Sequence, residues 1–290
     1  MDLTQLAQAV LYGIMNGSGY ILFASGIALT FGVMNVMNFA HGELYMIGGM
    51  LFFSLTSYIG MGAGLAVLIA VLAGGLLGFA TNRAVIQPVL RVSSLAPLLS
   101  TIALSFIMLN GSTAVWGAFA RLITPAFLMG WVRAGGLVMS YVGILVIVTG
   151  ISVGVGLHAF LAKAPMGKQM RATVQNLTGA KLVGINTKRV YDYVLIISSA
   201  LAALGGILLG FIHTASPGMG QPMIILGFVI VVVAGMDNLL GATIMAIVIG
   251  ITESLLITYA PSEFAESILY MVLIAILLIR PQGLFARRGE

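Results

Sequence analysis

The chain has 290 residues, of which 60% are hydrophobic and only 7% are charged. A soluble domain carries about 25% charged residues, so the composition excludes a soluble protein and indicates one that is solvated by lipid. Chains cross a bilayer as α-helices or closed barrels, and these apolar runs are too continuous for the alternating strands of a barrel. The predicted fold class is therefore all-α, a polytopic bundle of transmembrane helices. Cysteine is absent, which excludes disulfides and thiolate metal sites.

Crossing a bilayer takes about 20 apolar residues in a helix. On this measure the sequence predicts nine spans, or eight if the short seventh segment does not fully cross. No shift of composition marks a second domain, so residues 1–290 are predicted to form one. The predicted spans are Ala9–Thr30, Gly42–Gly60, Gly62–Thr81, Leu95–Trp116, Val138–Phe160, Tyr191–Ile212, Pro222–Met236, Leu239–Tyr259 and Ala265–Ile279.

The distribution of basic residues predicts the orientation, because Lys and Arg concentrate in cytoplasmic loops. Nine crossings with the N-terminus outside and the C-terminus in the cytoplasm place 11 of the 13 basic residues inside. The net charge of +5 thus reports topology and does not argue for nucleic acid. With eight crossings the last three would lie outside, against the rule. Those three residues are Arg280, Arg287 and Arg288.

The densest charged segment is residues 163–189, called the basic loop below, which holds six of the 13 basic residues. The pattern predicts a short helix over Met166–Gln175 and a second over Leu177–Val183 that ends at Gly184. Asn186 is predicted to cap the span that follows. Two short helices presented to the cytoplasm indicate a docking surface.

Polar residues interrupt the apolar pattern between the first two spans, and facing lipid would be costly for them. One interpretation is a capped helix start, with Asn38 as the N-cap and Glu43 in the first turn. The other is a broken helix whose polar end lines a transport path. The residues alone leave both open. The candidate path residues here are Asn35, Asn38, His41 and Glu43.

Glu253 lies near the centre of the eighth span, where an acid costs about 2.5–3.5 kcal/mol on insertion scales. It should therefore face the bundle, either in a hydrogen bond between helices or in a direct transport role. Asp192, close after Arg189 in the first turn of a span, is predicted to cap the helix or form an ion pair. Asp237 and Asn238 are predicted to cap the eighth span.

Glycines at small-xxx-small spacing predict close helix packing. They are Gly13 and Gly17, Gly60 and Gly64, Gly74 and Gly78, and Gly206 and Gly210. A Gly/Pro-rich stretch after the sixth span is predicted to be an external turn, which either closes over a pathway or only connects two helices. Its candidate residues are Ser216, Pro217 and Gly218. The chain has no Walker A loop, H-E-x-x-H pair or nucleophile elbow, so no catalytic or metal residue is predicted.

Several stretches, in order and across nearly the whole chain, resemble the LivH-like permease subunits of ABC importers for branched-chain amino acids. The stretch Phe31–Met46 resembles the N-terminal signature of that family. The other resembling stretches are Ser94–Leu98 with Thr101–Ser105, Arg171–Thr173, Ala180–Asn186, Ser216–Gly220 and Arg280–Phe285.

The resemblance implies a subunit of the bacterial inner membrane that pairs with a longer homologous M-type permease. Two cytoplasmic ATPases would dock on the basic loop, and a periplasmic binding protein would deliver Leu, Ile or Val. ATP and Mg would be bound by the ATPases, so this chain would need no cofactor and would not be an enzyme. The implied ATPase-coupling residues are Arg171, Gly179, Ala180, Leu182, Gly184, Ile185 and Asn186.

Two departures from the family pattern, at Gln175–Gly179 and in the loop Ala118–Arg133, leave the partners and the substrate open. Urea, short amides or other amino acids are the alternative cargo. An ion-coupled secondary transporter is the alternative class, which predicts inverted repeats and a charged site at the membrane midplane. The sequence shows no obvious repeat. A non-transporting scaffold is disfavoured, because polar breaks within spans cost stability without purpose there.

Overall fold

The computed structural model describes residues 3–93, 95–236, 238–280 and 282–285. Predictions made above at five positions lie outside this part, namely Ser94, Asp237, Pro281, Arg287 and Arg288. The all-α class is confirmed. The helices are α1 Leu3–Met34, α2 His41–Ser57, α3 Ala63–Thr81, α4 Gln87–Val89, α5 Ala96–Trp116, α6 Tyr141–Lys163, α7 Pro165–Gln175, α8 Leu177–Leu182, α9 Thr187–Ile212, α10 Gly220–Ala234, α11 Leu239–Tyr259 and α12 Ser262–Ile279.

Each of the nine predicted spans corresponds to one of these helices. Among the described residues, six helices are long and apolar enough to cross a membrane: α1, the continuous helix formed by α3 and α4, α5, α6, α9 and α11. The helices of the other three predicted spans fall outside this set: α2 has 17 residues and α10 has 15, and in α12 the apolar part is Ser267–Ile279. The chain is therefore a membrane-spanning bundle of roughly the predicted number of segments.

The fifth span begins later than the sequence pattern suggested. Residues from Val138 were assigned to it, but Leu137–Ser140 form a strand, β2, that pairs antiparallel with β1 over Trp131–Ala134. The turn between the strands is Gly135-Gly136, with φ of 59° and 83°, which are left-handed values that suit a tight hairpin. Helix α6 starts only after this hairpin, where Ser140 caps it by accepting a hydrogen bond from the Gly143 N–H at 3.0 Å.

Most of the predicted glycine pairs lie at close helix crossings. A Cβ added to Gly13 or Gly17 would meet the backbone of α11, and one added to Gly78 would meet the backbone of α9. Gly206 of α9 lies directly against the main chain of Tyr45 in α2. The pair Gly60 and Gly64 has open space around it, so the packing prediction is wrong for that pair.

The packing also reveals an internal repeat that the sequence did not show. Helices α1 and α9 run antiparallel, because Gly19 faces Leu209 whereas Gly26 faces Ser198. Each is followed by a short helix, α2 or α10, and then by a longer one, α3 or α11. Helix α11 packs along α1, and α3 packs along α9. The two triplets are therefore inverted relative to each other, an arrangement that recurs in transporter folds.

Gly206→Ala is expected to lower the free energy of unfolding by about 1–3 kcal/mol, because an added methyl group overpacks the contact with Tyr45. Unfolding of the detergent-purified chain by heat or denaturant measures the change. Gly156→Ala is the matched control, since Gly156 lies inside α6 with open space around it. Equal stability of the two variants would contradict this packing.

Candidate functional site

The polar break between α1 and α2 folds back into the bundle. After Met34 the chain reverses at Asn35, an exposed residue with a left-handed φ of 51°. The next helix starts at His41, whose Nε2 lies 3.3 Å from the carbonyl oxygen of Phe23. Phe23 precedes the end of α1 by eleven residues, or about 16 Å at 1.5 Å per residue. Helix α2 is thus a half-helix that begins inside the bundle, as the broken-helix interpretation expects.

Helix α10 begins in the same way from the opposite side. Helix α9 ends at Ile212, and residues 213–219 return into the bundle before α10 starts at Gly220. A Cβ added to Gly42 would meet the Gly220 carbonyl oxygen, and one added to Gly220 would meet that of Gly42. The N-termini of the two half-helices therefore meet in the interior.

The predicted external turn is the re-entrant segment that leads to α10. Pro217 is buried, Ser216 is half-buried and Gly218 is exposed. The segment closes as a turn, in which the Met219 N–H donates to the Ser216 carbonyl oxygen at 3.1 Å. It carries the chain from the end of α9 to the meeting point of the half-helices, and closure over a pathway stays a prediction.

Asn38 does not cap α2 as the capped-start interpretation required. The N-cap is Ala40, and no side chain caps the helix. Asn38 Oδ1 accepts from the Ala40 N–H at 3.1 Å, a local turn that Asn favours. The chain needs two further residues after Asn38 to complete its reversal before the helix can begin. Asn38 and His41 are 4% and 1% exposed.

Glu43 occupies the first turn of α2, as predicted, and is 1% exposed. The Ser105 hydroxyl of α5 donates to its Oε1 at 3.0 Å, and the side chain of Gln221 is a second polar neighbour. Helix N-termini carry partial positive charge. An acidic side chain at the point where two of them meet therefore compensates both dipoles.

Glu253 faces the bundle on a different helix pair. The Tyr20 hydroxyl of α1 donates to Glu253 Oε2 at 2.7 Å, and the next residue, Ser254, donates to the Ala9 carbonyl oxygen at 2.7 Å. These bonds join α11 to α1. The geometry matches the interhelical hydrogen bond that was one of the two interpretations of Glu253, while a transport role stays a prediction.

Gln221 was missed by the sequence reasoning. It is the second residue of α10, lies beside Glu43 and is exposed on the surface of the subunit. The only sequence signal was the unusual shortness of the seventh segment. Hydropathy does not indicate how deep in the membrane a residue lies. The sequence pattern therefore predicts Gln221 in the external turn rather than at the half-helix junction.

The basic loop contains the two predicted helices, α7 and α8. Asn176 caps α8 by accepting from the Gly179 N–H at 2.8 Å, and Ala180 is buried beneath it. The loop leaves α8 at Gly184, where φ is 83°. Asn186 then caps α9 as predicted, accepting from the Arg189 N–H at 3.2 Å.

The surface of this loop is apolar as well as basic. Leu182 is 83% exposed and Val183 is 77% exposed, so neither side chain is covered by this subunit. Ile185 is only half-buried. Arg171 of α7 is exposed and donates to the Ala162 carbonyl oxygen at 3.1 Å. The coupling role of these residues stays a prediction.

Asn238 and Asp192, both near the loop end, were predicted to cap a helix or to form an ion pair. Asn238 caps α11 as predicted, accepting from the Gly241 N–H at 2.9 Å. Asp192 is in an ion pair, but its partner is Arg83 of the segment after α3 and not the adjacent Arg189. Arg189 is only three residues from Asp192 in the sequence, but it is not the residue that forms the ion pair.

Glu43→Gln is expected to lower the free energy of unfolding by about 1–2 kcal/mol, because it replaces the carboxyl group that lies at two helix N-termini and accepts from Ser105. Ser105→Ala is the control, which deletes only the hydrogen bond and should cost about 0.6 kcal/mol. Denaturant titration of both purified variants measures the difference. If Glu43→Gln were as stable as the parent chain, the electrostatic role assigned to Glu43 would be wrong.

Comparison with known proteins supports one family. Residues 9–278 match the family described as "Branched-chain amino acid transport system / permease component". The chain is 29% identical to the high-affinity branched-chain amino acid transport system permease protein BraD of Pseudomonas aeruginosa, over 97% of this chain and 95% of that protein. It is also 29% identical to LivH of Escherichia coli K12, with the same coverage of 97% and 95%.

A more distant organism carries a similar protein. A probable branched-chain amino acid transport permease protein LivH of Methanocaldococcus jannaschii is 29% identical, over 91% of this chain and 87% of that protein. Among solved structures, PsaBC from Streptococcus pneumoniae in complex with Fab aligns with a TM-score of 0.44 and 16% identity, over 95% of this chain and 88% of that one. On the family match, which spans nearly the whole chain, the protein belongs to the permease components of branched-chain amino acid transport systems.

Proposed function

We propose that this chain is one membrane permease subunit of an ATP-driven ABC importer that carries branched-chain amino acids. A periplasmic binding protein delivers the amino acid, a second homologous M-type permease completes the path, and two cytoplasmic ATPases hydrolyse ATP. The family match over residues 9–278 carries the proposal. Urea, short amides or other amino acids are the alternative cargo.

The basic loop supplies the physical argument for ATPase docking. It combines the exposed aliphatic side chains Leu182 and Val183 with neighbouring cations such as Lys181. Apolar side chains this exposed at the end of a membrane bundle are suited to burial against a partner. With this end in the cytoplasm, the N-terminus of α1 lies outside, in agreement with the charge distribution.

The exposed face around Gln221 is our candidate for the translocation path. A polar side chain at the level of the half-helix junction is unfavourable against lipid. It is favourable against a water-filled path or the second permease. Closure of the ATPases would push α7 and α8, rotate the bundle and switch this path from outward-facing to inward-facing.

The inverted repeat supports a second candidate, an ion-coupled secondary transporter, because broken helices at a repeat interface are typical of that class. The family match supports the importer subunit for the same chain, so the repeat alone does not separate the two functions. Partner composition does, since a secondary transporter works without ATPases.

The decisive experiment is purification of the chain from its native membrane in mild detergent, with identification of the proteins that accompany it. We expect two ATPases, a second permease and a solute-binding protein. Titration of that binding protein with Leu, Ile, Val and urea then identifies the cargo. A chain that purifies alone and still transports would favour the ion-coupled alternative.

Leu182→Asp is expected to abolish co-purification of the ATPases, because it puts a charge into an apolar contact that must be desolvated. Ile59→Asp is the matched control, since Ile59 is 66% exposed beyond the far end of α2. Both variants should insert normally. Retention of the ATPases by Leu182→Asp would show that they dock elsewhere.

Gln221→Phe is expected to lower the uptake rate at least tenfold, since a barrier higher by about 1.4 kcal/mol is sufficient for that change. Leu240→Phe, at a position of α11 that is 49% exposed, is the control for an added aromatic ring. Uptake into vesicles measures both. Parent-like uptake by Gln221→Phe would remove this face from the path.

A further inference from the structure

The side chain of Asp192 is the centre of a polar cluster at the loop end of the bundle. Arg83 donates to both of its oxygens, from Nε to Oδ1 at 3.0 Å and from Nη2 to Oδ2 at 2.5 Å. Asn82 Nδ2 and Gln87 Nε2 donate to Oδ1 at 2.8 and 3.1 Å. The Asp192 side chain is 8% exposed, whereas that of Arg83 is 48% exposed. The carboxylate thus accepts four hydrogen bonds from one short segment.

A π-helical turn makes this convergence possible. Residues Asn82–Ile86 form the turn, and the Gln87 N–H bonds to the Asn82 carbonyl oxygen five residues earlier. In an α-helix residues five apart point about 140° away from each other. The wider turn stacks Gln87 above Asn82, so both amides reach the same carboxylate. Such turns within helices occur frequently at functional sites.

The cluster lies next to the basic loop along the chain. Asn186 ends that loop and caps α9, and Asp192 is the sixth residue of α9. The segment that connects α8 to α9 is short, and it is hydrogen-bonded to α8. The Ile185 N–H donates to the Ala180 carbonyl oxygen at 2.9 Å. Gln87 Nε2 also approaches the Lys188 carbonyl oxygen at 3.5 Å. A displacement of α8 must therefore reach the first turns of α9, where the cluster begins.

The cluster fastens α9 to a second membrane helix. Further into the bundle, Gly74 and Gly78 of α3 pack directly on α9. The bidentate Arg83–Asp192 pair holds the same two helices together at their loop ends, and such pairs fix orientation as well as distance. Helices α3 and α9 are consequently joined along their length and at the end that faces the loop.

We propose that the cluster of Asn82, Arg83, Gln87 and Asp192 is a transmission joint, which converts movement of the basic loop into a common movement of α3 and α9. Arg83 and Asp192 are positioning residues in this proposal, because they act by holding α3 and α9 together. The inference rests on the proposed function, in which ATPases drive the basic loop. It adds the cluster through which movement of the basic loop is transmitted to the membrane helices α3 and α9.

The test uses the complete importer, with its ATPases, second permease and binding protein, reconstituted in vesicles. The measured quantity is the number of substrate molecules transported per ATP hydrolysed. Arg83→Gln is expected to lower this ratio at least about 5-fold, the lower end of typical coupling between sites. Arg83→Lys, which keeps the charge, should restore part of it. Arg91→Gln is the matched control, because it removes one exposed cation from the same connection between α3 and α5.

The outcomes separate this proposal from its alternatives. Arg83→Gln leaves Asp192 with two amide donors, so insertion and ATPase co-purification are expected to remain normal. An unchanged ratio overturns the proposal, even if thermal stability falls, because the cluster would then be structural only. Loss of ATPase assembly also overturns it, since a transmission joint leaves docking intact. Failure of the parent chain to co-purify with ATPases would instead contradict the proposed function itself.

Discussion

The requirement that every backbone polar group be satisfied inside the protein governs this bundle, because lipid offers no hydrogen bonds. Two helices start in the interior, and each start leaves N–H groups without partners in its own helix. The structure places the two starts against each other at Gly42 and Gly220, where the absence of side chains lets the backbones touch. Glu43 places its carboxyl group at that point, and the Ser105 hydroxyl of α5 donates to it. Helix α1 packs against α10, and α9 packs against α2.

This arrangement explains why the longest buried helices are α1 and α9. Each must pass the half-helix junction and continue to the end of the bundle, so that the re-entrant segment that follows can fold back beside it. Of the residues in the most apolar 18-residue stretch of each helix, 83% are buried in α1, 72% in α9 and only 17% in α5. The inverted repeat therefore builds a two-helix centre with single helices around it. Helix α5, which is mostly uncovered and holds Glu43 through Ser105, is available to a partner.

The sequence predicted which segments are helical, since long apolar runs and caps such as Asn186 are local signals. It also predicted both helices of the basic loop. It could not predict the depth at which α2 and α10 begin, because a half-helix with a re-entrant segment has nearly the same hydropathy as a full span. The partner of Asp192 was equally inaccessible, since Arg83 is 109 residues away and reaches it only through a π-helical turn. The Asn38 cap failed because the pattern does not reveal how many residues a chain reversal takes.

Glu43, which is buried, and Glu253, which is half-buried, bear on the source of energy for transport. Glu43 accepts from the hydroxyl of Ser105 on α5, and Glu253 accepts from the hydroxyl of Tyr20 on α1. Both bonds join separate helices, and neither donor is an acid or a histidine of the kind that forms proton relays within membranes. These hydrogen bonds favour a role for both acids in holding helices together over a role in moving a coupling ion. The exposed and basic part of the molecule is at the loop end, where Leu182 and Val183 are uncovered and Asp192 joins α9 to the segment after α3. A bundle whose internal acids hold helices together and whose exposed loop is joined to two of its helices is suited to being driven from outside the membrane.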